Sequence, residues 1–339
     1  MAVTIKDVAR IADVSPSTVS RVIAGHPRIS VATQQKVRKA MRELGYHPNE
    51  IARSLVTRTT NTLGLVIPYA AENAFANPFF PEVLRGIGTV AQSAGFLMLL
   101  GAGSTEKEGR NLSLQMLRRR RVDGVILLGV RAGDQLIEDL LEEEHSFVVI
   151  GRVPDDRVAW VNNDNVAAAR QVVEHLIHLG HRRIALVNGP DDFVVCQDRL
   201  EGYRQALAAH GMGFDPALVA DGRFTESGGA EAAETLLKIP GGERPTAIFA
   251  IDDLMALGVV RAARAKNLRI PQDLAVAGFN DDPIAAHLEP ALTTVRIPIF
   301  QMGAAAAGML IGLVTRELDR PAQLILPAEL VIRQSCGGR

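Results

Sequence analysis

Apolar positions along this chain change their spacing once, near residue 60. Before that point they recur at three- and four-residue steps in three short blocks. Ile5, Val8, Ala9 and Ala12 share one face, as do Val19, Val22 and Ile23, and then Val37, Ala40, Met41 and Leu44. This spacing predicts three amphipathic helices. End signals agree with it. Thr4 and Asp7 form a capping-box-like pair, Ser15 and Pro16 open a second helix, and Ser30 caps a third over 31–44 that Gly45 ends. Asp13 sits where the first two helices must reverse, and Asp tolerates the left-handed conformation better than most residues.

Beyond residue 61 the pattern becomes continuous apolar runs alternating with amphipathic helices. Strands are expected over 63–68, 96–101, 124–129 and 147–151, separated by helices over 81–94, 107–120 and 135–143. The pattern restarts after Trp160, with strands over 184–188, 218–221, 247–251, 274–279 and 293–297, and near 324–326 and 329–332. Helices over 166–179, 197–210, 228–237, 254–266 and 300–316 lie between them. Unbroken apolar runs are what parallel strands covered on both faces require. The expected fold class is an N-terminal all-α helix-turn-helix head followed by an α/β body of two doubly wound parallel-sheet subdomains. A chain of 339 residues is too long for one simple core, which agrees. In such a body ligands bind beyond the C-terminal strand edges, and the cleft between the two units is the natural small-molecule site.

Composition narrows the function classes. No apolar run is long enough to cross a bilayer, and the N-terminus has no basic, hydrophobic leader pattern. Cys196 and Cys336 lie far apart and form no disulfide framework or metal spacing, so a cytoplasmic protein without metal is expected. Charge is unevenly spread. Residues 1–60 hold ten Lys/Arg and four Asp/Glu, a balance of +6, which leaves −7 for the rest of a chain of net charge −1. A positive head on a negative body concentrates phosphate attraction in one place. Enzyme chemistry finds no support: there is no phosphate loop, nucleophile elbow or metal-spaced His/Cys set. Asp155-Asp156 and Glu142-Glu143-Glu144 read as solvated acids, and neither catalytic residues nor a cofactor are expected.

Two short helices joined by a tight turn is the shape that places a helix in a DNA major groove. Ser17, Thr18, Ser20 and Arg21 are left on the outer face of the second helix, where Arg21 can pair bidentately with a guanine. The basic run Lys36, Arg38, Lys39 and Arg42 is assigned no specific contact.

Here a resemblance becomes specific. Thr4-Ile5-Lys6-Asp7-Val8-Ala9, Val14-Ser15, Thr18-Val19-Ser20-Arg21-Val22, Leu44-Gly45-Tyr46-x-Pro48-Asn49 and Ala52-Arg53-Ser54-Leu55 resemble the head of the lactose-repressor (LacI/GalR) family over its whole length. The resemblance implies DNA contacts from Thr4, Ser15, Pro16, Ser17, Thr18, Ser20, Arg21, Ser30, Tyr46, Asn49, Ala52 and Leu55. It makes residues 49–55 a hinge helix that folds only on operator DNA, where two copies insert paired Leu55 side chains and kink the duplex. Unstacking costs a few kcal/mol per step and is recovered through the bent, better-contacted duplex. Alone, so short a stretch does not hold a helix. Two positions depart from the family pattern. Asp13 stands for a common Gly, and Ala24 stands where an Asn usually precedes Gly25, which removes one polar contact. Pro16 and Ser17 occupy positions that vary with operator sequence, so Arg21 is expected to carry much of the readout.

The resemblance also implies a periplasmic-sugar-binding-protein fold for the body, with the chain crossing near Asn162, Leu292 and Gln323. The expected divisions are a head at 1–48, a hinge helix and linker at 49–60, and an effector-binding body at 61–339. Within the body, one subdomain takes about 61–161 and 293–322, the other about 162–292 and 323–339. Strand ends supply the pocket candidates Asn77, Phe79, Asp164 and Asp252. Arg199, in Asp198-Arg199-x-x-Gly202-Tyr203, matches the family arginine for effector polar groups, and Phe224 matches an aromatic wall position. Asn280 stands where the family often places an Asp, which suits a neutral ligand. The run Asn77-Pro-Phe-Phe-Pro-Glu-Val-Leu-Arg-Gly86, with Val161-Asn-Asn-Asp-Asn165, resembles maltose-operon regulators of the family.

The expectation is therefore a cytoplasmic, sequence-specific transcriptional repressor. A maltose-like sugar effector releases it from a pseudo-palindromic double-stranded operator. The alternative is a corepressor-dependent or phosphoprotein-assisted catabolite regulator. One head reads a half-site, so a homodimer is expected, with no membrane partner.

Overall fold

The computed structural model describes residues 3–23, 26, 28–46, 59–67, 75–103 and 105–337. They form two compact units, Met1–Thr60 and Asn61–Arg339.

The first unit holds helices α1 (Ile5–Ala12), α2 (Pro16–Ile23) and α3 (Val31–Leu44). Val8, Ala12, Val19, Val22, Val37 and Ala40 are its buried core. The end signals act as the sequence predicts. The Asp7 carboxylate accepts from the Thr4 backbone N–H at 3.0 Å and from its hydroxyl at 2.8 Å. The Thr18 N–H donates to Ser15 Oγ at 3.1 Å, and the Thr33 N–H to Ser30 Oγ at 3.2 Å. Asp13 takes the left-handed conformation at φ 52°, and Gly45 does so at 59°.

The second unit contains two parallel sheets. Strands β1 (Thr62–Ile67), β2 (Leu97–Ala102), β3 (Gly124–Leu128), β4 (Phe147–Ile150) and β5 (Ala159–Asn163) lie in one of them. That sheet is completed by β11 (Gln323–Leu326), in the order β11-β5-β4-β3-β1-β2. The other sheet is formed by β6 (Ile184–Asn188), β7 (Val219–Asp221), β8 (Ala247–Ala250) and β9 (Ala275–Ala277), in the order β7-β6-β8-β9. Its edge is continued by β10 (Thr294–Arg296), which pairs antiparallel with β12 (Glu329–Val331), with Thr293 just before it bridging to Ala277 and Arg296 to Asn280. Central strands β3, β4, β6 and β8 are buried at every position, the reason their sequences are unbroken apolar runs.

Helices α4 (Phe79–Ser93), α5 (Glu106–Arg118), α6 (Gln135–Glu142) and α12 (Ile299–Thr315) cover the first sheet. The second carries α7 (Asn165–His178), α8 (Val194–Ala209), α9 (Glu226–Leu236), α10 (Asp253–Ala265) and α11 (Pro283–His287). Helices α4 and α12 cross so closely that a Cβ on Gly86 would lie 2.1 Å from the Phe300 carbonyl oxygen. One on Gly303 would lie 2.3 Å from that of Val83. Among the described residues no helix is long and apolar enough to cross a membrane.

Three details differ from the sequence expectation. Residues 159–163 form a strand where only a crossover was read. The 294–296 strand belongs with the second sheet, since Thr293 bridges to Ala277 and Asn280 to Arg296. Conversely, 323–326 pairs parallel with β5 in the first sheet, with Leu324 opposite Val161. The second and third crossings therefore lie near Pro298 and Pro327, each a few residues beyond its expected place. Strand membership is decided by non-local pairing, and these short segments fit either sheet by pattern alone.

Candidate functional site

Two surfaces carry candidate chemistry. On the head, Thr4, Ser15, Pro16, Ser17, Ser20, Arg21 and Ser30 are exposed, while Thr18 is half-buried and Tyr46 packs on the head core. Their hydroxyls are not equally available. Thr4 is taken by Asp7, Ser15 caps α2 and contacts the Ser17 and Thr18 hydroxyls at 2.9 Å, and Ser30 caps α3. The Ser20 and Arg21 side chains make no such local bond among the described residues. They project from the outer face of α2, opposite buried Val19 and Val22. Asn49, Ala52 and Leu55 lie outside the described residues, as does Ala24.

In the second unit a cleft opens between the C-terminal edges of the two sheets, with an empty volume of about 1000 Å³ including its mouth. Its walls include Gly129 after β3 and Arg152 after β4 on one side, with Arg199 on α8, Asp252 after β8 and Asn280 after β9 on the other. Six of the seven expected effector residues line it: Asn77, Phe79, Arg199, Phe224, Asp252 and Asn280. Asp164 does not. It is exposed and caps α7, its Oδ1 accepting from the Ala167 N–H at 2.9 Å, so its side chain is used by the helix start and not by the pocket. Asn162, Asn163 and Asn165 turn inward instead.

Asp252 is the hub of one side. Its Oδ2 accepts from Asn77 Nδ2 at 3.0 Å and from Asn280 Nδ2 at 2.9 Å, while Oδ1 accepts from the Leu254 N–H at 2.9 Å. Burial pushes its carboxyl up, opposed by the Asn77 hydrogen bond and the Arg199 charge. Asn280 reaches this carboxylate from a left-handed backbone at φ 115°, a strained conformation of the kind found at ligand clamps.

Arg199 anchors a second network on the same side as Asp252. Its guanidinium carbon lies 3.7 Å from the centre of the Phe279 ring, a cation–π contact in a desolvated setting. Nε donates to Asn165 Oδ1 at 3.0 Å, and Nη1 donates to the Ile251 carbonyl. Asn165 in turn donates to Asn162 Oδ1 at 3.1 Å and accepts from Asn163 Nδ2 at 3.2 Å. Burial lowers the Arg199 guanidinium to about 10, and nearby Asp252 and Asp198 help to keep it charged.

At the mouth Arg152 spans the cleft to Asp198, with Nη2 to Oδ1 at 2.6 Å. The Asp198 hydrogen bond raises the Arg152 pKa. Phe224 and Arg223 both adopt left-handed backbone, near φ 52° and 53°, which presents the Phe224 ring edge-on to Phe193 at 6.1 Å. Gly189 leaves room for that ring, since a Cβ there would lie 2.6 Å from Phe224 Cε2. Arg152 and Asp198 were not expected from the sequence, and within the crossover run Asn162 to Asn165 the expectation singled out Asp164 where the asparagines line the pocket. Arg152 follows a strand directly after Gly151, a position that could have flagged it. Among the described residues no group of three or more His, Cys, Asp or Glu side chains is placed to hold a metal ion.

The asparagines, Asp252 and Arg199 of this cleft are tied to one another or to the backbone, and Arg152 and Arg223 pair with Asp198 and Glu231. The arrangement suits an uncharged ligand with many hydroxyls, taken between amides and a carboxylate, with Phe79 and Phe224 offering apolar faces.

Comparison with known proteins gives two family matches. Residues 4–49 match the family of bacterial regulatory proteins, lacI family, and residues 173–336 match a periplasmic binding protein-like domain. The chain is 41% identical over 336 residues to the HTH-type transcriptional regulator CelR of Thermobifida fusca, covering 98% of each. A solved CelR–cellobiose complex is similar at 39% identity and TM-score 0.76, over 98% of this chain and 99% of that one. The HTH-type transcriptional regulator MalR of Streptococcus pneumoniae is 41% identical over 273 residues, 80% of this chain and 82% of its own. A lac repressor dimer bound to operator and the anti-inducer ONPF is similar at TM-score 0.86 and 26% identity, over 99% of each chain.

Proposed function

The chain belongs to the lacI family of bacterial regulatory proteins, DNA-binding transcription regulators and not enzymes, and on that premise we propose that it is a cytoplasmic repressor released from its operator by a neutral disaccharide. The observation that carries the ligand class is the charge balance of the cleft. Arg152 is paired with Asp198 and Arg223 with Glu231, and the buried Arg199 donates to Asn165 and the Ile251 carbonyl in the field of Asp252 and Asp198, so the cations of the lining are already engaged by protein groups. The asparagines and Asp252 offer both donors and acceptors, as sugar hydroxyls require.

A glucose disaccharide fits this chemistry. Cellobiose is bound by the CelR of the solved complex, and the MalR likeness keeps maltose beside it. Calorimetry with cellobiose, maltose, glucose 6-phosphate and a purine tests the proposal. Binding of either disaccharide well ahead of the phosphosugar supports it, and preference for the phosphosugar or the purine overturns it.

On the head, Ser20 and Arg21 read base edges, while Thr4, Ser15, Pro16, Ser17, Thr18, Ser30, Tyr46, Asn49 and Ala52 hold the duplex in register. Leu55 is the minor-groove wedge, and the working form is a homodimer on a pseudo-palindromic operator. Linkage fixes the control logic: ligand weakens DNA binding only by favouring the body conformation that disfavours paired hinges.

A further inference from the structure

The body is acidic as a whole, yet it carries four consecutive arginines, Arg118 to Arg121. They close α5 and lead into β3 through a tight turn. The Arg120 N–H donates to the Leu117 carbonyl at 2.8 Å, the Arg121 N–H to that of Met116 at 2.9 Å, and Arg120 is left-handed at φ 50°. Arg118 is bound by Glu143. Arg119, Arg120 and Arg121 are exposed and have no ion-pair partner among the described residues. A cation in the last turn of a helix has a local explanation in the helix dipole. Three further guanidinium groups beyond the helix end do not.

Their place in the fold gives them a partner. Both sheets turn their C-terminal edges toward the ligand cleft, so the N-terminal edge of the first sheet is the pole remote from it. The chain enters the body at that pole, through the first residue of β1. The Asp123 N–H donates to the Thr62 carbonyl at 2.8 Å, and the Leu97 N–H to that of Asn61 at 2.8 Å. The arginine turn is thus two residues upstream of the segment paired with the entry strand. Of the acids at this end of the sheet, Glu143 is bound to Arg118 and His145, Asp155 to Arg157 and Asp123 to the Thr62 N–H, while the exposed Glu142, Glu144 and Asp156 make no ion pair with the three arginines. The segment that joins the head to the body therefore begins its span at this pole. Tyr46 to Thr59 is 13 residues, at most about 45 Å when fully stretched.

We propose that Arg119, Arg120 and Arg121 are a body-borne phosphate clamp, contacting the duplex backbone beside the site read by the head. The proposal rests on the DNA-binding reading of that head. The clamp carries no base information, so it strengthens operator and random DNA alike and steepens the salt dependence of both.

The test compares full-length chains on a selected operator duplex and on a random duplex across a salt series. The variant Arg119→Gln/Arg120→Asn/Arg121→Gln keeps a residue tolerant of the left-handed turn at the centre. One lost phosphate contact per subunit lowers the slope of log affinity against log salt by about 2 in a dimer. Affinity for both duplexes falls together. The all-lysine variant Arg119→Lys/Arg120→Lys/Arg121→Lys restores the slope, which separates lost charge from lost folding. Arg182→Gln, an exposed arginine at the N-terminal edge of the second sheet, leaves it unchanged. Tight binding by the parent with an unchanged slope in the triple variant overturns the clamp alone. Failure of the parent to bind duplex DNA overturns the reading of the head as well.

Discussion

Asn77 and Asp252 are 175 positions apart in sequence, yet Asn77 Nδ2 donates to Asp252 Oδ2 at 3.0 Å across the cleft of the body. Asn77 precedes α4 on the first sheet and Asp252 follows β8 on the second, so this bond ties one subdomain to the other at the floor of the pocket. The same oxygen takes Asn280, whose backbone bridges to Arg296 beside the second crossing. A ligand that competes for this carboxylate therefore acts on the contact between subdomains.

Asp252→Ala leaves the Asn77 and Asn280 amides without their acceptor. Each buried unpaired group costs about 1–3 kcal/mol. Disaccharide affinity is expected to fall at least tenfold, and the midpoint of thermal unfolding to drop. Calorimetry and scanning calorimetry on the same sample check both, and wild-type ligand affinity in the variant would remove Asp252 from the site.

Arg21 is the exposed cation on the outer face of α2, with no local partner to satisfy it. Arg21→Ala is expected to weaken operator binding by about 1–3 kcal/mol and to relax one operator position. Loss of equal size on random duplex would make Arg21 a phosphate contact and nothing more.

Much of this architecture was legible in the sequence, because buried parallel strands impose an unbroken apolar run and helices impose a 3.6-residue period. What escaped was non-local. Residues 159–163 present only three apolar positions before two asparagines, and nothing local says that they pair with β4. Gln323–Leu326 is half exposed at a sheet edge, so its partner could not be read from its pattern. Asp252, Asn77 and Asn280 were found because strand ends in doubly wound sheets face the ligand. Asp164 was taken in place of its neighbours because four consecutive polar residues, Asn162 to Asn165, do not reveal by pattern which one caps the helix and which ones line the pocket. Arg152 also follows a strand end, but its pairing with Asp198, 46 positions away, leaves no local sign in the sequence.

Asp282 makes the stability of the body depend on pH. Burial, with Asp252 and Asp281 nearby, raises its carboxyl to about 8, and its Oδ2 has no hydrogen-bond partner. The folded protein thus holds a proton that the unfolded chain releases near pH 4. Its contribution is fully present below that value and is lost as pH rises toward 8. His175 and His181 are pushed down by burial, and they act with opposite sign only below their ordinary value of about 6.5. The thermal midpoint is therefore expected to fall between pH 6.5 and 8, and Asp282→Asn to flatten that fall. An unchanged slope in the variant would show that another group titrates.

The crossing of α4 and α12 leaves no room for a methyl group at Gly86. With a Cβ 2.1 Å from the Phe300 carbonyl oxygen, Gly86→Ala must push two helix backbones apart. Overpacking of this kind costs about 1–3 kcal/mol. Gly308, on the same helix α12, has nothing within 4 Å of such a Cβ, so Gly308→Ala is the neutral control. Equal midpoints of chemical unfolding for the two variants would contradict the packing argument.

The central claim is that a sugar in the cleft of the body decides whether the head holds DNA. The most direct measurement is operator affinity at fixed salt, with and without saturating cellobiose or maltose, using a pseudo-palindromic duplex selected by this chain. The account predicts that one of the two disaccharides weakens operator binding at least tenfold and leaves random-duplex binding nearly unchanged. Tighter operator binding with the sugar, or none of the two sugars altering it, would contradict release by a neutral disaccharide.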